Sequence, residues 1–245
     1  MRVIRIGNTV IAKDPRKNTF TIKNDMSPQL MQSIGDKAAA PFEAVAVLTV
    51  RQYLARCQHA TELYVALRLV HDLGRQMQAL LSAGRGIACF SADDVLVITH
   101  RDSDAFAHSD DGALSDAQQD PQFLFLNDRL VFEVDDSDGA LLIDRALHAA
   151  ADAFLPPELV GQAKDKDKDK DKDKDKDKDK DKDKVHFKAA YYSAAQLVIH
   201  FLLNVDVSPE TDLNQCLQPI KGTKLYWFLL RCLNRAPSER KYIYI

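Results

Sequence analysis

Residues 153–159 read AFLPPEL, residues 190–203 read AYYSAAQLVIHFLL and residues 231–240 read RCLNRAPSER. The middle stretch belongs to a segment, 187–203, that is apolar nearly all round a helix, which predicts a fully buried central helix. The two prolines of the first stretch end any helix that precedes them. A further helix is predicted over 224–235, before Pro237. Together these stretches predict a helical carboxyl-terminal half built around one buried helix.

The amino-terminal half alternates short strands with one long helix. Residues 1–24 predict a β-hairpin or short meander, because β-branched runs flank the turn residues Gly7-Asn8. FEAVAVLTV, residues 42–50, is continuously apolar and predicts one buried strand. QFLFL and LVFEV predict a hairpin around Asn127-Asp128.

The clearest helix of the chain is predicted over residues 61–83. Thr61 is suited to cap its amino terminus, with Glu62 in the first turn. Apolar residues at spacings of three and four predict one buried face. They are Leu63, Leu67, Val70, Leu73, Met77, Leu80 and Leu81.

Composition excludes several classes of protein. The 245-residue chain is 46% hydrophobic with a net charge of −3, which argues against broad binding to nucleic acid or anionic membranes. Its four cysteines form no CxxC pair, so neither a zinc site nor a disulfide framework is indicated. The amino terminus lacks the apolar core of a signal peptide, and no apolar run approaches the length of a membrane span. We therefore expect a cytoplasmic or nuclear protein.

Two segments are too polar to fold on their own. Residues 101–121 are rich in Asp, Ser and Gln and predict an exposed acidic loop. Residues 164–184 alternate strictly between Lys and Asp. Neither a helix nor a strand of this pattern buries apolar surface to offset its ordering entropy, so a solvated, disordered insertion is predicted. A polyelectrolyte contact is the alternative.

The order and spacing of these elements resemble the C-lobe of protein kinases over roughly residues 42–245. The resemblance rests on FLPPEL, on the buried helix and on RCLNRAPSER. It implies a mostly helical α+β fold, with residues 49–245 as a C-lobe and residues 1–48 as a reduced N-lobe. It also implies that Glu158 and Arg240 form a buried ion pair, since the family has one there; two ordinary surface charges are the alternative.

The chemistry of the family is largely missing. The catalytic loop, H-R-D-x-x-x-x-N in the family, corresponds to CFSADDVLVI, residues 89–98, which has no His-Arg-Asp and is about two residues short. Asp94 would take the place of the metal-binding Asn. Asp128 is the nearest candidate for the magnesium-binding Asp, with a turn residue as the alternative. Ala190 stands where the buried helix of the family begins with Asp, and Lys13 only superficially imitates the ATP-binding lysine.

The resemblance therefore implies a catalytically inactive kinase-like protein that binds a protein partner. The chain is similar both to the degenerate kinase-like proteins of large DNA viruses and to non-catalytic C-lobe modules that bind peptides. The first alternative is a divergent Ser/Thr kinase that binds ATP and magnesium through Asp94 and Asp128. A structural or virion-associated protein is the second.

Overall fold

The chain is described by a computed structural model with an α+β architecture. The described residues are 3–6, 9–14, 19–23, 42–44, 46–56, 62–99, 121–125, 130–143, 154–160, 185–208 and 211–242. Within them, helices and antiparallel sheets are mixed along most of the chain. The α+β class predicted from the sequence is therefore confirmed, but helices predominate only from residue 189 onward.

Eleven strands and five α-helices have bounds within the described residues. The strands are β1 (Val3–Ile6), β2 (Thr9–Asp14), β3 (Thr19–Lys23), β4 (Phe42–Glu43), β5 (Ala46–Thr49), β6 (Arg85–Ile87), β7 (Val95–Thr99), β8 (Gln122–Phe125), β9 (Val131–Val134), β10 (Ala140–Leu142) and β11 (Val185–His186). The helices are α1 (Val50–Leu54), α2 (Leu63–Ser82), α3 (Ala189–Leu203), α4 (Leu213–Cys216) and α5 (Lys224–Cys232). Short 3-10 helices lie at Gln218–Ile220 and Pro237–Glu239.

The amino-terminal sheet is a meander in chain order, β1-β2-β3-β4, with antiparallel pairing throughout. This confirms the meander predicted over residues 1–24 and adds β4 to it. Ile11 and Phe20 are buried and belong to the main hydrophobic core. The sheet is therefore packed onto the rest of the protein through one side chain of β2 and one of β3.

The single strand predicted over residues 42–50 is wrong. β4 pairs with β3, whereas β5 pairs with β7 in a different sheet. Val50 already begins α1, because Thr49 forms a capping box with Gln52. The continuous apolar pattern hides this change, since buried strands and buried helix starts both favour Val, Ala and Leu.

The predicted hairpin around Asn127-Asp128 is also wrong. β8 is the edge of the sheet β5-β7-β8, whereas β9 lies in the sheet β11-β10-β9-β6. β8 pairs with β7 on one side, and side chains of α2 bond its backbone from the helix. The two apolar runs thus follow one another in sequence without pairing in space.

The long helix α2 lies within the predicted range 61–83, but its amino terminus differs from the expectation. Glu62, and not Thr61, is the N-cap residue, and its side chain makes no capping hydrogen bond. Thr61 lies outside the described residues. Leu63, expected on the buried face, is exposed, because the buried face of α2 begins at Val65 and Ala66 and leaves Leu63 to one side.

The buried central helix is α3, as the sequence predicts. Most of its residues are buried, and it ends at Asn204 in the left-handed conformation. It packs against both α2 and α5. A second, smaller cluster brings Leu159 and Val185 together with residues of β9 and β10. Residues on the two sides of the Lys-Asp tract therefore share one apolar cluster.

The Lys-Asp tract, residues 164–184, lies outside the described residues, and so does the acidic loop except for Pro121. Within the described part of the chain, no helix combines the length and the hydropathy that crossing a bilayer requires.

Candidate functional site

The loop of residues 88–94 connects β6 to β7 and lies almost wholly inside the protein. The amide of Ala88 donates to the Leu130 carbonyl at 2.9 Å, and the Phe90 carbonyl accepts from the Phe154 amide at 3.0 Å. The Phe90 ring packs edge-on against Phe125, with ring centroids 5.4 Å apart. Backbone and side chain therefore fix this loop between β9, β8 and the segment that leads to Glu158.

Asp94 closes this loop on itself. One carboxylate oxygen, Oδ2, accepts from the Ser91 amide at 2.7 Å and from the Ser91 hydroxyl at 2.9 Å. The Asp94 amide donates back to the Ser91 carbonyl at 3.1 Å. Only 3% of Asp94 is exposed. Its carboxylate thus holds a turn, as buried polar groups with satisfied hydrogen bonds do.

The described residues do not fit a magnesium site of the kind that the kinase resemblance implies. Magnesium takes carboxylate oxygens in an open octahedral shell that retains waters, whereas the Asp94 carboxylate is buried and bonded within its own turn. No group of three or more His, Cys, Asp or Glu residues with metal-binding geometry occurs in the described part of the chain. Asp128, the other predicted ligand, lies outside that part.

The neighbouring Asp93 joins the loop to α1. It accepts from the Thr49 hydroxyl at 3.1 Å and from Nε of Arg51 at 2.7 Å. The Arg51 amide also donates to the Ala92 carbonyl. Both acidic residues of the loop are therefore used to anchor it, Asp94 internally and Asp93 to the start of α1.

Glu158 and Arg240, 82 positions apart and paired by the kinase resemblance, meet in a bidentate ion pair. Nη1 donates to Oε1 at 2.6 Å, and Nη2 donates to Oε2 at 2.8 Å. The Arg240 side chain is fully buried, and 17% of the Glu158 side chain is exposed. The geometry is the fork-on-fork arrangement that makes charge-assisted hydrogen bonds strong.

Arg240 also organises the backbone around it. Its remaining hydrogen bonds all go to backbone carbonyls, which are those of Asn234 (2.7 Å), Arg235 (3.3 Å) and Lys188 (3.4 Å). The guanidinium carbon lies 5.0 Å from the centre of the Tyr192 ring. Burial raises the pKa of the Tyr192 phenol, and the charge of Arg240 opposes this in part. One guanidinium thus joins Glu158, the start of α3 and the segment after α5.

Ala190 stands in an apolar setting near the start of α3. Together with Gly86, Ile87 and Met77 it lines a small cavity of about 10 Å³, near the minimum that one water molecule needs. A carboxylate at this position would face apolar side chains. The setting is consistent with the alanine found here.

Lys13 has a packing partner on the neighbouring strand. It lies opposite Phe20 in the β2–β3 register, and its Nζ is 5.3 Å from the ring centre. A lysine above an aromatic face gains a cation–π contact. This contact supports the reading of Lys13 as a strand residue with a structural role.

The sequence did not single out Asp72 and Gln76, two polar residues that bind the edge strand β8. The Gln76 amide donates to the Phe123 carbonyl at 3.0 Å and accepts from the Phe125 amide at 2.6 Å. Asp72 accepts from the Phe123 amide at 3.0 Å. A glutamine within the apolar face of a long helix is the sequence feature that could have indicated this role.

No protein-family model matches this sequence, and no curated protein matches it. The geometry of the 88–94 loop and of the Glu158–Arg240 pair therefore carries the functional proposal.

Proposed function

We propose that this chain is a catalytically inactive, protein-kinase-like protein that acts as a protein-binding module. The order of the elements supports the kinship. From β5 onward, α1, α2, the 88–94 loop, β7, the Pro-Pro-Glu, the buried helix α3 and the final Pro-x-x-Arg follow the order of a kinase C-lobe. The bidentate Glu158–Arg240 contact corresponds to the buried ion pair that kinase C-lobes have between these two motifs.

The loop length also supports the kinship. Since β6 ends at Ile87 and β7 begins at Val95, a pattern of the form H-R-D-x-x-x-x-N that ends at Asp94 would begin at Ile87. The shortfall of about two residues expected from the sequence then disappears. In this register Cys89 occupies the position of the catalytic base.

The interior of the 88–94 loop is the single observation that carries the proposal of inactivity. Cys89 is fully buried in an apolar cluster, where no substrate hydroxyl could reach it. Asp94 uses Oδ2 to hold the Ser91 turn. A kinase needs a base and metal-binding groups that face the transferred phosphate, whereas here the residues at the positions of the base and of the metal-binding Asn, Cys89 and Asp94, are both buried.

We further propose that the protein acts in the cytoplasm or nucleus. Two cysteines of the described residues, Cys216 and Cys232, are free thiols. Burial raises the pKa of Cys216 and Cys232, so both favour the unreactive thiol over the thiolate. Buried unreactive thiols suit a reducing compartment.

Thermal unfolding with and without Mg-ATP tests the proposal. A ligand at 100 times its dissociation constant stabilises a protein by about 2.7 kcal/mol. We expect no change in Tm at millimolar Mg-ATP, with an active Ser/Thr kinase as the positive control. A ligand-induced shift that disappears in Asp94→Ala and in Asp128→Ala would overturn the proposal in favour of a divergent kinase. The shift is compared within each variant, because Asp94→Ala also removes the Ser91 turn.

A further inference from the structure

The outer face of α5 carries a stripe of exposed side chains. Lys224, Trp227 and Arg231 follow one another at spacings of three and four, so they share one side of the helix. All three are exposed, whereas Leu225 and Leu229 on the opposite side are buried in the core. The helix is thus anchored by its apolar side and presents a cationic and aromatic side outward.

Trp227 is the single tryptophan of the chain, and 57% of it is exposed. The neighbouring Tyr226 ring is buried and contacts the indole edge-on, with ring centroids 5.2 Å apart and an interplanar angle of 82°. The Tyr226 hydroxyl is fixed in turn by the Asn214 side chain at 3.2 Å. The indole is therefore held in place before any partner arrives, which lowers the entropy cost of binding.

The charges on this face are unbalanced. Lys221 is a further exposed cation, in the turn that precedes α5. Among the described residues, no carboxylate forms an ion pair with Lys221, Lys224 or Arg231. The whole chain carries a net charge of −3. The stripe is thus a local cationic patch on an acidic protein.

We propose that this stripe, formed by Lys224, Trp227 and Arg231, binds an acidic segment of a protein partner. The segment is extended and carries an aromatic or long apolar side chain between carboxylates. Lys224 and Arg231 are about 10 Å apart along the helix axis, which an extended segment spans in about three residues. Carboxylates then meet the two cations while the apolar side chain covers Trp227. This inference rests on the proposed binding function and names the partner class.

The same features disfavour the other polyanions. A long nucleic acid would experience the net negative charge of the whole protein, whereas a short acidic segment interacts mainly within a Debye length of about 8 Å. A membrane-binding helix inserts a broad apolar face, and α5 exposes one large apolar side chain, Trp227, between cations. Trp and Arg are the residues enriched at the centres of protein–protein interfaces.

Titration with an acidic peptide tests the inference. The probe is a fluorescein-labelled peptide containing Glu-Glu-Phe-Glu-Glu, and binding is measured by fluorescence anisotropy with the full-length chain. An unlabelled copy should also change the emission of Trp227, which is a site-specific signal because the chain has no other tryptophan. We expect weaker binding as salt is raised, and weaker binding of a peptide with Ala in place of Phe.

Variants assign the binding to the stripe. Trp227→Ala and the double variant Lys224→Glu/Arg231→Glu should each weaken binding at least about tenfold, as expected for hot-spot residues. Tyr64→Ala and Arg75→Glu alter an exposed aromatic and an exposed cation on α2, and should leave affinity unchanged within about twofold. Equal weakening by both sets would overturn the assignment. Equally tight binding of oligo-dT or of phosphatidylserine vesicles would overturn the proposed partner class.

The peptide titration and the Mg-ATP experiment can give contrary results, so a failure of the stripe can be told apart from a failure of the proposed function. Failure of the peptide to bind, with no Mg-ATP shift, would overturn the stripe and leave the inactive kinase-like protein standing. Peptide binding together with an Mg-ATP shift that Asp94→Ala removes would overturn inactivity and leave the stripe standing.

Discussion

The Arg240 side chain makes five hydrogen bonds, two to Glu158 and three to backbone carbonyls. We expect Arg240→Ala to lower the free energy of unfolding by about 3–5 kcal/mol, because it leaves the largely buried Glu158 carboxylate without its partner. The variant also leaves three backbone carbonyls without this donor. Arg240→Lys should recover only part of the loss, since an ammonium cannot bond both oxygens of Glu158 in the same planar geometry. Urea unfolding measures both.

Glu158→Gln is the matched test of the ion pair. It keeps the bonds from Arg240 to the backbone carbonyls, so its cost should be smaller than that of Arg240→Ala. Arg75→Ala, an exposed change on α2, should stay within about 0.5 kcal/mol of the wild type. If Arg240→Ala were equally mild, the pair would not hold this region together.

His186 makes the stability of the protein depend on pH, and the charges of Arg240 and Glu158 act on it. Burial lowers its pKa from the usual value of about 6.5, with further lowering from Lys188 and Arg240. Asp138 and Glu158 oppose this shift. Below about pH 6.5 the unfolded chain therefore binds the proton more readily than the folded protein does, and stability falls as the pH drops through this range.

His186→Asn isolates this effect. The neutral ring accepts a hydrogen bond from the Lys188 amide at Nδ1 (3.1 Å), which protonation would abolish. An Asn side chain can still accept through its amide oxygen and does not titrate. We expect urea midpoints between about pH 7.5 and 5 to fall less in the variant than in the wild type. Parallel curves would show that His186 contributes nothing to the acid sensitivity.

At the level of elements, α2 takes the place of a strand beside β8. Gln76 bonds both the Phe123 carbonyl and the Phe125 amide, so the edge of the sheet is covered by a side chain. Gln76→Met preserves size and helix propensity but leaves both groups unpaired, at about 1–3 kcal/mol each. We expect a loss of at least about 2 kcal/mol and faster hydrogen exchange at the Phe125 amide. Gln78→Met, on the exposed side of α2, should change neither.

The elements also show what the sequence could and could not predict. α3 follows from its composition, because a segment that is apolar all round is stable only when buried. The boundary between β5 and α1 does not follow from the apolar pattern, since the deciding feature is the capping box of Thr49 and Gln52. The sequence pattern also does not predict the partners of β8, because the outer edge of this strand is bonded by a helix side chain and not by another strand.

Across the whole molecule, the resemblance paired Glu158 with Arg240 because prolines mark both positions in sequence. The role of Asp94 could not be derived in the same way. Asp94 has the residue type of a ligand, and only the folded structure shows that it bonds Ser91 three positions earlier. Local side-chain bonds of this kind compete with ligand binding, and the sequence pattern is the same for both.

The Lys-Asp tract connects two segments that pack against each other. Leu159 and Val185 belong to one apolar cluster, so the connection between them closes a loop whose ends are already held by packing. Replacing residues 164–184 by a six-residue Gly-Ser linker should raise the free energy of unfolding by less than about 1 kcal/mol, because loop-closure entropy depends only weakly on length. The Glu158–Arg240 pair should persist, and Arg240→Ala should cost the same in the shortened chain. A loss of several kcal/mol on replacement would show that the tract packs against the protein, contrary to the solvated insertion predicted from its alternating charges.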